Sequence, residues 1–231
     1  MIRPTIANAG RAAHPAAILI FLFTLASGAA AQLGSRPVSE WEKVLDSPER
    51  LAGLRVDAVL DALKLRPEDV VADLGAGTGP FVVPFGKAAS AGTVYAVDID
   101  EEFFPRIRQR AGVAGLRNVR TVLGGLSDPR LPARDVDVAF MHDVLHHIED
   151  RAAYLRAVSR YLKPAARIAI IDYHPARSPH RDEPAMQVSQ EQAQALLRDA
   201  GFTPVEEVAL FDDKWFVIFG RGGNGEVRPR P

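Results

Sequence analysis

From residue 47 onward the apolar positions alternate between two periods. Ser47-Pro-Glu-Arg opens a helical pattern in which Leu51, Leu54, Val56, Val59, Leu60 and Leu63 recur on one side until Pro67. Val70-Val-Ala-Asp-Leu74 is a short apolar run, and it predicts a buried first strand. Similar runs, rich in branched residues, predict strands at Thr93 to Asp98, Asn118 to Leu123, Val136 to Met141 and Arg167 to Asp172. Helical segments lie between most of them, so the α/β alternation predicts a doubly wound parallel sheet. Ser189 is placed to cap a helix running to Ala200, and Gly201 to stop it. Two strands follow, around Pro204 to Leu210 and Lys214 to Phe219, joined only by Phe211-Asp-Asp213. So short a link demands a hairpin, which makes the last of seven strands antiparallel. No internal repeat is present.

The ends do not share this alternation. Arg3, Arg11 and His14 precede the apolar run Ala16 to Leu25, and Ala29-Ala30-Ala31 follows. That is the layout of a secretory signal peptide, so cleavage near Ala31 and an exported or periplasmic chain starting at Gln32 are expected. The alternative is a membrane anchor through an uncleaved signal, but the run is short of the roughly 20 residues a spanning helix needs. No stable membrane insertion is expected once the signal is removed. The division that results is 1–31 signal, 32–46 lead segment, 47–220 main domain and 221–231 flexible tail, the last having little to bury.

Composition narrows the partners. At 231 residues the chain can bury a full single-domain core. A formal charge of -1 gives no general attraction to nucleic acid, so a small-molecule substrate is expected and no nucleic-acid partner. The chain has no cysteine, which excludes disulfides, thiol nucleophiles and thiolate metal sites. Nothing in the pattern bears on oligomeric state.

The strongest local signal is Asp73-Leu-Gly75-Ala76-Gly77-Thr78-Gly79-Pro80, between the first strand and the next helix. Glycines let the backbone turn sharply and bring a ligand close to bare amides. The spacing is G-x-G-x-G, whereas a dinucleotide loop is G-x-G-x-x-G and a P-loop needs Gly-Lys-Ser/Thr. The second strand ends at Asp98, about 20 residues beyond the loop, where a carboxylate can accept from both ribose hydroxyls of an adenosine.

On Val71 to Gly79, Val97-Asp98-Ile99, Leu145-His-His-Ile148 and Leu162-Lys-Pro164, the chain resembles the class I S-adenosylmethionine-dependent methyltransferases over about residues 45 to 220. It looks most like their small-molecule branch, of types 11 and 25. The resemblance implies a Rossmann-like methyltransferase fold, S-adenosylmethionine as cofactor and methyl transfer to a small-molecule acceptor. It implies that Gly75, Ala76, Gly77, Thr78 and Gly79 line the cofactor and that Asp73 lies beneath its amino-acid end. Asp98 would hold the ribose, Ile99 would lie against the adenine, and His142 would border the cofactor. Gly125 and Leu126 stand where many relatives have an aspartate and alanine at the adenine, so a backbone carbonyl or Asp128 would have to serve. The arsenic-methylating relatives use cysteines, which this chain lacks. The alternative reading is an exported protein that binds the cofactor, or regulates through it, without catalysis.

The fourth strand runs into His142-Asp143-Val-Leu-His146-His147-Ile-Glu149-Asp150 at the carboxyl edge, where doubly wound folds bind ligands. If a helix starts at Val144, His142 shares a face with His146 and Asp143 with His147. Such spacing suits a general base, a metal pair, or plain capping and packing; with no H-E-x-x-H pattern, no metal is expected. Methyl transfer rests mainly on alignment and needs a base only when the acceptor starts protonated. For a hydroxyl acceptor His146 and Asp143 are the candidate catalytic residues; a carbanion or soft atom would need neither. Asp172-Tyr173-His174, Arg177 to Arg181 and His180 reach the same edge, as part of the acceptor site or as a solvated loop. Trp41 is either a lid or packing for the first helix, and Trp215 and Phe216 read as core.

Overall fold

The structure, a computed structural model, describes residues 37–222 and 228–230. The expected signal peptide and the first residues of the lead segment lie outside the described residues.

Eight strands form one sheet: β1 (Val70–Leu74), β2 (Thr93–Asp98), β3 (Val119–Leu123), β4 (Val136–His142), β5 (Leu162–Tyr173), β6 (Phe202–Val208), β7 (Lys214–Arg221) and β8 (Arg228–Arg230). Their order is β3-β2-β1-β4-β5-β7-β6-β8. Strands β1 to β5 run parallel, whereas β7 pairs antiparallel with both β5 and β6, as the short hairpin link requires. The short β8, parallel to β6, is an eighth strand in the tail that was expected to be flexible.

The helices are α1 (Val38–Leu45), α2 (Pro48–Gly53), α3 (Val56–Leu63), α4 (Val82–Ala88), α5 (Phe104–Val113), α6 (Arg151–Ser159) and α7 (Gln190–Asp199). The single helix expected after Ser47 is two, α2 and α3. Gly53 weakens the helix and Arg55 turns left-handed at φ 48°. Ser47 caps α2 through the Arg50 amide, and Ser189 with Gln192 forms a full capping box on α7.

Strand alternation divides the core. Val71, Val138, Phe140, Ala169, Ile171 and Phe216 face α3 and the start of α4. Their neighbours Ala72, Ala139, Met141, Ile168, Ile170 and Trp215 face α6 and α7. Both surfaces of the sheet are therefore covered, and each fully buried aliphatic or aromatic side chain stabilises the fold by about 1.5–3 kcal/mol. Trp215 and Phe216 are core, on opposite faces of β7. The chain reverses its winding between β1 and β4, so the loops after these strands part and leave a crevice at their carboxyl ends.

Candidate active site

The glycine loop leaves β1 at this crevice with Gly75, Gly77 and Gly79 at φ 78°, 52° and 75°, a region that disfavours any side chain. Its amides are largely spent within the protein. Gly75 and Ala76 donate to the Val97 carbonyl, Gly79 to the Ala76 carbonyl, and Gly77 to Asp98 Oδ2 at 2.8 Å. A phosphate cradle needs such N–H groups turned outward, so this loop is built for close backbone approach and not for anion binding.

Asp98 ends β2 with Oδ1 accepting from the Asp100 amide at 3.1 Å. Both oxygens thus accept from backbone amides, and the carboxylate keeps lone-pair capacity for a hydroxyl. Burial raises its carboxyl above the ordinary value, and the amides of Gly77, Asp100 and Ile99 work against that rise. Asp73, at the end of β1, is buried, with Oδ2 lacking a hydrogen-bond partner. Burial, reinforced by Asp98, pushes it up to about 7. A buried carboxylate oxygen with no partner is costly, and a cationic group above it would remove the cost. The residues therefore fit S-adenosylmethionine: Asp98 for a diol, Asp73 for an ammonium and the glycine backbone for close contact.

A cover closes this side. Asp46, just past α1, accepts from Thr78 Oγ1 at 2.6 Å and from Arg106 and Arg110 of α5 at 2.9 and 2.7 Å. Burial works against its charge, but the bonds from Thr78 and Arg106 hold its carboxyl below the usual range. The lead segment from Val38 is thereby tied to the domain, with Trp41 half-buried on α1. Nothing in the local pattern around Asp46 signals this role.

On the adenine side Ile99 and Leu126 are apolar and exposed, at 38% and 61%. Gly125 is held by its amide to the Asp128 carbonyl, and a Cβ there would meet the Arg130 guanidinium at 3.1 Å. Asp128 is not the substitute acceptor. Its Oδ1 takes the Arg130 amide and the Tyr161 hydroxyl, and its Oδ2 takes Arg160.

The β4 edge differs from the expected helix. Only a single 3-10 turn, Leu145–His147, forms, so His142 and His146 do not share a face. His142 points from the strand into Phe81, Phe140 and Phe211. Its Nδ1 lies 3.2 Å from Asp143 Oδ2 but off the line of a hydrogen bond, leaving both ring nitrogens without such a partner. Asp143 takes a left-handed φ of 58° and accepts from Lys214 Nζ at 2.8 Å. Burial opposes its charge, but His142 and Lys214 beside it hold its carboxyl well below the ordinary range.

His146 is buried on the other side of that turn. Its Nδ1 lies 2.7 Å from Asp172 Oδ1, and its amide donates to Asp172 Oδ2 at 3.1 Å. Adjacent parallel strands bring the pair together, His142 lying beside Ile171 in the register. With Nδ1–H donated to the carboxylate, Nε2 is left as a proton acceptor. His147 and His180 complete the edge, whereas His174 is exposed and its amide donates to the Asp213 carbonyl. Burial, with His146 and His180 close by, pushes His147 down to about 3. Arg151 pins the turn by donating to the carbonyls of Leu145 and His146, and ties it to Ala185 on the following loop.

Comparison with known proteins agrees with this geometry. A family model described as "Methyltransferase domain" matches residues 72–170. The 27-O-demethylrifamycin SV methyltransferase of Amycolatopsis mediterranei is 28% identical over 187 residues, covering 74% of this chain and 68% of that protein. A SAM-dependent methyltransferase from Aquifex aeolicus superposes with a TM-score of 0.72 at 27% identity, over 81% of this chain and 100% of that one. The 1,6-didemethyltoxoflavin-N1-methyltransferase of Burkholderia thailandensis, solved with 1,6-didemethyltoxoflavin and S-adenosylhomocysteine bound, gives 0.63 at 28% identity, covering 84% and 89%. The chain spans 32% to 68% of the length of the first curated relatives it matches. Residues 72–170 thus match a methyltransferase domain, and the chain is similar over most of its length to class I S-adenosylmethionine-dependent methyltransferases.

Proposed function

We propose that this chain is a class I methyltransferase, which binds S-adenosylmethionine at the β1 and β2 edge and transfers its methyl group to a small-molecule acceptor at the β4 and β5 edge. The observation that carries the proposal is Asp73 Oδ2, buried without a hydrogen-bond partner beside a glycine loop whose amides are largely committed. That arrangement suits a cationic, adenosine-bearing ligand and not a phosphate. Ile99 and Leu126 are exposed apolar residues of the kind that a purine would cover.

The cofactor supplies an electrophilic methyl carbon. What the chain contributes is alignment and, for a protonated acceptor, a base. His146 serves better than Asp143, because His142 and Lys214 beside Asp143 hold its proton affinity low against the effect of burial. For a hydroxyl acceptor, the oxygen forms the new bond to carbon while its proton passes to His146 Nε2. Asp172 keeps the ring oriented and stabilises the imidazolium that results.

Calorimetry with S-adenosylhomocysteine tests the cofactor site: the folded chain binds it, and Asp98→Ala loses at least tenfold in affinity. Unchanged binding in that variant removes the assignment. A labelled-methyl screen across small-molecule extracts tests the transfer, and cofactor binding with no transfer to any acceptor would leave a binding protein instead. The proposal includes export, supported by the N-terminal pattern: cleavage after Ala31 leaves α1 and every other described element in the mature chain. The intact mass of envelope-derived protein checks this, and a mass retaining residues 1–31 refutes cleavage.

A further inference from the structure

Three histidines meet at the acceptor edge from two separate segments. His146 and His147 come from the 3-10 turn after β4, and His180 comes from the loop after β5. One ring nitrogen from each lies within 4.8 Å of the other two. The ring centres of His146 and His180 are 5.4 Å apart, those of His147 and His180 5.8 Å, and those of His146 and His147 4.0 Å.

Two of the rings have a carboxylate beside Nδ1, the kind of partner that ligating imidazoles have at their second nitrogen. His146 Nδ1 is 2.7 Å from Asp172 Oδ1, and His180 Nδ1 is 3.0 Å from Glu183 Oε1. A ligating imidazole almost always gives its second nitrogen to a carboxylate, carbonyl or water, which fixes the tautomer and raises ligand basicity. Here two separate carboxylates each take the Nδ1 side, so Nε2 is the nitrogen that each ring has left to offer. Simple packing of histidines does not call for this repeated arrangement.

We propose that His146, His147 and His180 form a binding site for a divalent transition-metal ion of the zinc class, with three imidazole ligands and an open fourth position. The three rings offer only nitrogen donors and the chain has no cysteine, which suits zinc, cobalt or nickel and not a thiolate-bound ion. Metal–nitrogen bonds of about 2.0 Å set ligand nitrogens about 3.3 Å apart in a tetrahedral site. Closure from the separations seen here falls to His180, whose side chain is 26% exposed on a loop, while Arg151 holds the 3-10 turn in place. A metal on His146 Nε2 occupies the lone pair that would accept a proton, so metal binding and base catalysis are mutually exclusive uses of that ring. The metal site itself does not rest on the methyl-transfer proposal.

The test is a Co2+ titration of the untagged full chain, followed by visible absorption. One equivalent is expected to give the strong bands of a tetrahedral ion with nitrogen ligands, and Zn2+ to bleach them. His180→Ala should weaken binding at least tenfold and lose the bands, and Glu183→Gln should weaken it while keeping them. Binding of S-adenosylhomocysteine and the melting temperature, unchanged in both variants, show that the fold persists. No tetrahedral spectrum from the intact chain, or equal Co2+ affinity in His180→Ala, overturns the site.

Discussion

Asp46 accepts a hydrogen bond from the Thr78 hydroxyl at 2.6 Å, which lashes the segment after α1 onto the glycine loop. The same carboxylate is held by Arg106 and Arg110, so one side chain joins the cover, the loop and α5. A charge-assisted cluster of this kind is worth more than an exposed ion pair because its partners are partly buried and share geometry.

Asp46→Ala is expected to weaken S-adenosylhomocysteine binding by roughly tenfold and to lower stability by about 1–3 kcal/mol. Thr78→Ser keeps the hydroxyl and should leave both unchanged. Calorimetry and urea melts read the two effects; normal affinity in Asp46→Ala would show that the cover is irrelevant to the cofactor.

Gly75 faces Val144 across the crevice. A Cβ added at Gly75 would overlap Val144 Cγ2, in a backbone with φ 78°. Gly75→Ala should therefore cost about 2–4 kcal/mol, from left-handed strain together with overpacking. Adding Val144→Ala removes the clash but not the strain, so the double variant should recover only part of the loss in a chemical melt. Full recovery would mean that φ at this position relaxes freely.

Lys214 and Asp143 form a buried ion pair, with side chains 8% and 11% exposed. Lys214→Met leaves the carboxylate with His142 at 3.2 Å and Arg50 at 3.8 Å, neither of them hydrogen-bonded to it, and should destabilise the fold by about 3–5 kcal/mol. Asp143→Asn combined with Lys214→Met restores most of that, because no unpaired charge remains. Equal stabilities of the single and double variants in urea melts would show that the pair contributes nothing. The same experiment bears on the base, since retained methyl transfer in the double variant places proton acceptance at His146.

Asp73 gives a pH signature. Its carboxyl stands at about 7 in the fold against an ordinary 3.8, so the folded chain keeps a proton that the unfolded chain releases. The stability this proton supplies is full below 3.8 and is lost progressively as pH rises to about 7. Asp73→Asn is neutral throughout. In thermal melts without cofactor its advantage over the native chain should grow from about pH 5 to about pH 8, reaching several degrees. A constant difference across that range would rule out a raised Asp73 carboxyl. Asp73→Asn should at the same time weaken cofactor binding, since the amide carries no charge for an ammonium.

Much of the fold follows from local pattern. The apolar runs of β1 and β2, the hairpin forced by Phe211-Asp-Asp213, the Ser189 cap and the glycine loop with Asp98 are all legible along the chain, because each is fixed by neighbours within a few residues or by one strand–turn–helix unit. The break between α2 and α3 and the 3-10 turn at Leu145–His147 were not, since tertiary packing overrides a helical periodicity that the sequence carries on its own. The acceptor edge shows the division most clearly. The residue types were visible, but the pairings that define their chemistry join positions 26 residues apart in His146–Asp172 and 71 in Lys214–Asp143. Those distances along the chain are bridged only when strand order sets β4 beside β5 and β5 beside β7, and strand order is decided by the burial of the whole sheet, not by any segment of it.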